Sequence, residues 1–114
     1  MPFIRIETNR ELSEVMVAEK SRATSARIAE LLGKPETYVM VSLLARQPLI
    51  FAGNDDPAAF VTLQSIDLPP DRCAEFSAVL CDFMERELDI PEDRIYIDFR
   101  NAARGQFGWN GGTF

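Results

Sequence analysis

Apolar and polar residues alternate with a period of two at 95–99, where Ile95, Ile97 and Phe99 are separated by Tyr96 and Asp98. The same period recurs at 39–44, where Val39, Val41 and Leu43 alternate with Met40, Ser42 and Leu44. Period two is the signature of a β-strand. Elsewhere the period lengthens. Cys73, Ser77, Leu80, Met84 and Leu88 recur at three- and four-residue spacing beside Phe76 and Phe83, which predicts an amphipathic helix. Pro69 and Pro70 suit its start, where a missing N–H costs little. A second helix is predicted upstream, with Ala18, Ser21, Ser25, Ile28, Ala29 and Leu32 as one stripe whose small residues would pack closely on a sheet. Gly33 reads as its C′ residue, and Pro35 prevents continuation.

These elements fall into an internal repeat at an offset of 56 residues. "LLGKPETYVMVSL" (31–43) lies over "ELDIPEDRIYIDF" (87–99), so that Pro35 matches Pro91, Glu36 matches Glu92 and Val39 matches Ile95. Upstream, "PFIRIET" corresponds more weakly to "AAFVTLQSI". The chain therefore reads as one α/β domain of two βαβ units, at about 2–50 and 58–106. Right-handed crossovers would give a four-stranded sheet with both helices on one face. The strand pattern makes that face core. The other face mixes apolar, aromatic and ionisable groups, too apolar for simple solvation, so a neighbouring subunit is expected to cover it. The turn "AGNDDPA" joins the halves. The tail "GQFGWNGGTF", rich in glycine and aromatics, is expected to dock, on the body or on a neighbour.

Charge and composition narrow the chemistry. At 114 residues the chain suits one domain, and its net charge of -6 argues against nucleic acid as main partner. Arg5 and Glu7 interrupt the first apolar run, so no signal peptide is expected, and no run is long enough to span a membrane. Cys73 and Cys81 sit eight residues apart on one predicted helix, about 12 Å, too far for a disulfide. They read as reduced structural thiols, which fits a cytoplasmic, reducing compartment. The chain has no histidine. That removes a Cys/His zinc site and the usual general base, so no metal is expected and any base must be unusual. Pro2 has two readings. It opens an edge strand, where proline is tolerated. Alternatively, once Met1 is removed, it presents a free secondary amine.

Six segments decide how these features are read together: "MPFI", "LLGKPETYV", "FAGNDDPA", "LQSI", "IPEDRIYIDF" and "GWNGGTF", in this order from end to end. With them the chain resembles the macrophage migration inhibitory factor family of the tautomerase superfamily. The resemblance implies a homotrimer of two βαβ repeats with active sites between subunits. It implies a cofactor-independent keto–enol tautomerase acting on a small aromatic keto acid such as phenylpyruvate. Pro2, freed of Met1, would be the base. An α-amino group titrates at about 7.7 to 8 in peptides, and an apolar pocket lowers that value. By the same resemblance, Lys34 of the "GKP" motif binds the substrate carboxylate, joined by the backbone N–H of Ile66. Read alone, these are a cation near a helix C-terminus and a strand residue. Tyr96 and Asp98 would reach in from the neighbouring subunit. Tyr38, Phe107, Trp109 and Phe114 match the family's aromatic wall.

Two departures matter. Asp98 stands where the best-known members carry asparagine. A carboxylate beside the proline would raise its pKa. Superfamily relatives that pair a cationic proline with a carboxylate hydrate, dehalogenate or decarboxylate their substrates, usually with arginines at the site. Arg46 and Arg100 are the arginines considered for that role. The Cys-x-x-Cys of some members is also missing, with Ala58 and Val61 at those positions, so thiol–disulfide chemistry is not expected. A third, non-catalytic reading is an extracellular signal, since relatives leave cells without a signal peptide.

Overall fold

A computed structural model describes residues 1–114. The chain runs β1 (Phe3–Thr8), α1 (Glu14–Leu32), β2 (Met40–Leu44), β3 (Ala59–Ile66), α2 (Cys73–Leu88), β4 (Ile95–Ala102), then a hairpin of β5 (Gly108–Trp109) and β6 (Gly112–Thr113). The sheet order is β2-β1-β3-β4. β1 is parallel to β2 and β3 is parallel to β4, so each half is a βαβ unit, and the halves join through antiparallel β1 and β3. No helix is long and apolar enough to cross a membrane.

The register sorts the strand residues onto two faces. Ile4 lies beside Val41 and Leu63, Ile6 beside Leu43 and Val61, and Leu63 beside Phe99. This row faces the helices and joins Ile28, Leu80, Phe83, Met84 and Leu88 in the buried core. The alternate row pairs Phe3 with Met40 and Gln64, Arg5 with Ser42 and Thr62, and Phe60 with Tyr96. Nothing in the chain covers it: Met40 is 66% exposed, Tyr96 61% and Phe60 41%. The mixed face expected from the alternation is therefore present and open.

The helix ends follow the sequence. Ser13 caps α1 by accepting from Met16 N–H at 3.2 Å. Gly33, at φ 62°, closes it, with its N–H on the Glu30 carbonyl and the Lys34 N–H on that of Ala29. Those two bonds form a Schellman motif. In the second half a 3-10 turn at Pro70–Arg72 leads into α2, and Asp89 takes the left-handed cap. The two Pro-Glu segments both become 3-10 turns feeding a strand, Glu36–Tyr38 and Glu92–Arg94. Cys73 and Cys81 are unpaired.

The expected inner stripe of α1 is off by a fraction of a turn. Its buried residues are Thr24 and Ile28, with Val17, Ala23, Leu31 and Leu32 packed on the core, while Ala18 is exposed. The helix is weakly amphipathic, so small residues spread round it gave a misleading phase. Thr24 tolerates burial because its hydroxyl donates to the Lys20 carbonyl at 2.7 Å.

Candidate functional site

Pro2 begins the approach to β1, and its ring is buried. Its carbonyl accepts from Met40 N–H at 3.0 Å, which ties it to β2. Since Phe3 pairs with Gln64, the antiparallel register carried one step further sets Pro2 beside Ser65 and Met1 beside Ile66. The helix-side position of Ser65 is where the Lys34 side chain arrives. Its Nζ donates to Ser65 Oγ at 2.7 Å and to the Ile66 carbonyl. The C-cap thus serves two purposes: it ends α1, and it fixes the backbone from which Lys34 reaches the end of β3. An ammonium has three donors, and these two bonds leave one for a ligand.

Two cavities of about 220 Å³ each meet at this point. One is mainly apolar, walled by Pro2, Tyr38, Met40, Phe107, Trp109 and Phe114. The other is polar, with Lys34, Ile66, Asp67 and Arg104 around it. Met1 and Tyr38 line both. The C-terminal hairpin supplies the aromatic wall by folding onto its own chain. Trp109 stacks on Phe114 at 5.4 Å, and both meet the Tyr38 ring edge-on, at 5.5 and 5.9 Å. Phe114 N–H closes the tail on the Phe107 carbonyl. Gly111, at φ 78°, makes the turn that brings Phe114 back.

Burial, helped by nearby positive charge, lowers the pKa of both amines at this point. The amino terminus, here that of Met1, is lowered from its usual 8.0, first by burial and then by the positive charges of Lys34 and Arg104, against a smaller opposing pull from Asp67. Lys34 is lowered from 10.5, chiefly by burial, with Asp67 opposing and Arg104 reinforcing the shift. In a chain of net charge -6, two cations converging on one cavity make a local attractor for anions.

The expected site residues therefore divide. Pro2, Lys34, Ile66, Tyr38, Phe107, Trp109 and Phe114 come together at one end of the sheet. Tyr96 and Asp98 do not join them. Tyr96 lies in the row of Phe60 and Glu7, five residues along from Pro2 and two strands over, about 17 Å along the strands alone. It packs edge-on against Phe51 at 4.9 Å. Asp98 accepts from Arg100 Nε at 2.9 Å on the open face. Within one chain neither reaches Pro2. Arg46 lies at the far end of β1, its N–H on the Arg10 carbonyl, and Arg100 faces Asp98. The arginine at the cavity is Arg104, which sequence reading missed. Its only signal is the pairing of Ile66 with Ala102, which appears once β3 and β4 are aligned.

Comparison with known proteins follows the same outline. The family model "Macrophage migration inhibitory factor (MIF)" matches residues 1–114. The chain is 40% identical over 115 residues to a macrophage migration inhibitory factor homolog of Trichinella spiralis, covering all of both proteins. It is 32% identical to the mouse macrophage migration inhibitory factor, covering all of this chain and 99% of that protein. The solved structure of a homologue from Prochlorococcus marinus superposes with a TM-score of 0.90 at 40% identity, covering 98% of each chain.

Proposed function

Because the chain belongs to the macrophage migration inhibitory factor family, we propose that it is a cofactor-independent keto–enol tautomerase of a small aromatic keto acid, phenylpyruvate being the simplest. The observation that supports this is that buried Pro2 lines an aromatic cavity which adjoins a cationic one, with Met1 and Tyr38 shared between them. The substrate's aryl group fills the first, its carboxylate enters the second, and the carbon between them faces the Pro2 nitrogen.

The reaction follows from that placement. Removal of Met1 converts Pro2 from an amide into a secondary amine. Burial of the Pro2 ring supports a depressed basicity for that amine, because an apolar surrounding disfavours its charged form. Neutral Pro2 removes a proton from the carbon next to the ketone. The electron pair shifts to the ketone oxygen, and the resulting enolate is stabilised by the Lys34 charge and by Ile66 N–H. The same proton then passes from the prolinium to that oxygen, giving the enol and regenerating the amine.

In this reading the protein is a homotrimer whose open sheet faces enclose a central channel. Exposed Met40, Phe60 and Tyr96 support it, because such apolar side chains on a sheet face call for a cover. Tyr96 and Asp98 then serve a neighbour's site. The Arg100 contact offsets the Asp98 charge and favours a neutral Pro2 over the cationic proline of hydratase chemistry. The test is phenylpyruvate turnover by the Met1-free protein, with processing verified by mass spectrometry, beside a form carrying one extra residue ahead of Pro2. Turnover in the first alone is expected. Equal rates in both would exclude the proline base.

A further inference from the structure

Arg104 and Asp67 line the polar cavity, and the tautomerase steps proposed above give them no role. Arg104 opens the 3-10 turn that follows β4, and its Nη2 donates to Asp67 Oδ2 at 2.7 Å. Both side chains are more than 60% exposed. An exposed pair of this kind returns little stability. Asp67 also adopts φ 54°, a left-handed conformation that an L-residue holds at some cost. The pair is therefore poorly explained as a stabilising device.

Its backbone is nonetheless firmly placed. Immediately before Asp67, the Ile66 carbonyl accepts from Lys34 Nζ. Immediately after it, Leu68 N–H donates to Asn101 Oδ1 at 3.2 Å, tying the bend to β4. Asp67 is thus fixed between the end of β3 and β4, and it holds one arm of the guanidinium. A guanidinium carries five N–H donors. Most remain free here, and the guanidinium stands close enough to Lys34 for its charge to help lower the lysine's pKa.

We propose that Arg104 is a second carboxylate-binding residue of this site, working beside Lys34, and that Asp67 positions it. Lys34 has one donor to spare, too few to satisfy both oxygens of a carboxylate. Arg104 supplies the planar pair of donors that such a group accepts best. Asp67 prevents the long arginine side chain from sweeping into solvent. The site is thereby specific for a free 2-keto acid over its neutral ester or amide. This deepens the tautomerase reading and rests on it for the keto group.

The test separates the two. Trp109 is the only tryptophan and lines the aromatic cavity, so its fluorescence reports occupancy. The Met1-free protein is titrated with 3-phenylpropanoate and with 3-phenylpropanamide, which differ in charge at nearly equal size. Arg104→Gln is expected to weaken the acid roughly tenfold or more and the amide less than about twofold. Arg104→Lys should recover part of the loss, and Asp67→Asn should weaken the acid by a smaller factor. With phenylpyruvate, Arg104→Gln should raise KM more than it lowers kcat. Equal weakening of acid and amide, no change in either, or failure of the parent protein to prefer the acid overturns the proposal. Arg104-dependent binding without turnover would sink the tautomerase reading and leave this one standing. Turnover with an unaltered acid preference in Arg104→Gln would do the reverse.

Discussion

On the helix-covered face of the sheet, Ile4, Ile6, Val61 and Leu63 are fully buried within the chain. On the other face of the same strands, Met40, Phe60 and Tyr96 lie open, with Asp98 held only by Arg100 on its own strand. The proposed functional residues split in the same way. Pro2, Lys34 and the aromatic wall are assembled by contacts inside one chain, whereas Tyr96 and Asp98 are displayed outward. The first group is preorganised by cap, register and hairpin. The second acquires a role only when another surface meets it. Substitutions in the two groups should therefore fail differently.

The largest effect is expected at Pro2. In the Met1-free protein, Pro2→Gly should lower kcat/KM for phenylpyruvate by about 100-fold or more, the usual share of a general base. An unchanged rate would dissolve the distinction between inner and outer groups. Next is Lys34→Ala, for which a loss of roughly 10- to 100-fold, shared between KM and kcat, follows from removing a charged donor to carboxylate and enolate.

The depressed pKa of Lys34 adds a pH dependence. Between its folded value and 10.5 the unfolded chain binds more protons at this lysine than the native one. Its contribution to stability therefore rises with pH through that window. Carboxylate binding runs the opposite way, falling as Lys34 loses its charge below 10.5. Lys34→Arg, charged throughout, should push the loss to higher pH, and superimposable profiles for the two proteins would contradict this assignment.

Smaller effects should come from the outer face. Asp98→Asn and Tyr96→Phe are expected to change kcat/KM by a few-fold each. Melting of the folded chain should scarcely move, since an exposed ion pair is worth about 0–1 kcal/mol. Asp98→Asn should also move the acid limb of the pH–rate profile downward, because removing a carboxylate lowers the pKa of a nearby amine. Sedimentation sharpens the comparison further: Phe60→Asp should dissociate a trimer to monomers. If the parent is already monomeric, the open face is no interface. The smallest effect is Gly33→Ala, about 1 kcal/mol of stability for a Cβ at φ 62°. It should be accompanied by a modest rise in KM, because the same cap aims Lys34.

Much of this was legible in residue order, for identifiable reasons. The alternation at 39–44 and 95–99 separates the two faces because strand side chains alternate rigidly. The Gly-Lys-Pro segment announces a helix end because few residues other than glycine take the left-handed cap. The phase of α1 was not legible, since its apolar signal is weak and tertiary packing chose Thr24 and Val17 as inner residues. The tail's docking and, through the family resemblance, its grouping with Tyr38 were legible, but not that it docks on its own chain.

By itself the sequence determined two βαβ units, a core face and a mixed face, and a candidate base in a chain with no histidine. Those properties are local, or repeat at a fixed offset, and periodicity and composition carry them. Only the tertiary structure decided which strand ends meet. Antiparallel pairing of β1 with β3 brings the amino terminus to Ile66, and parallel pairing of β3 with β4 brings Arg104 to Asp67. Such meetings depend on the register of segments tens of residues apart. That register is set by the collective fit of the core, which no short stretch of the chain encodes.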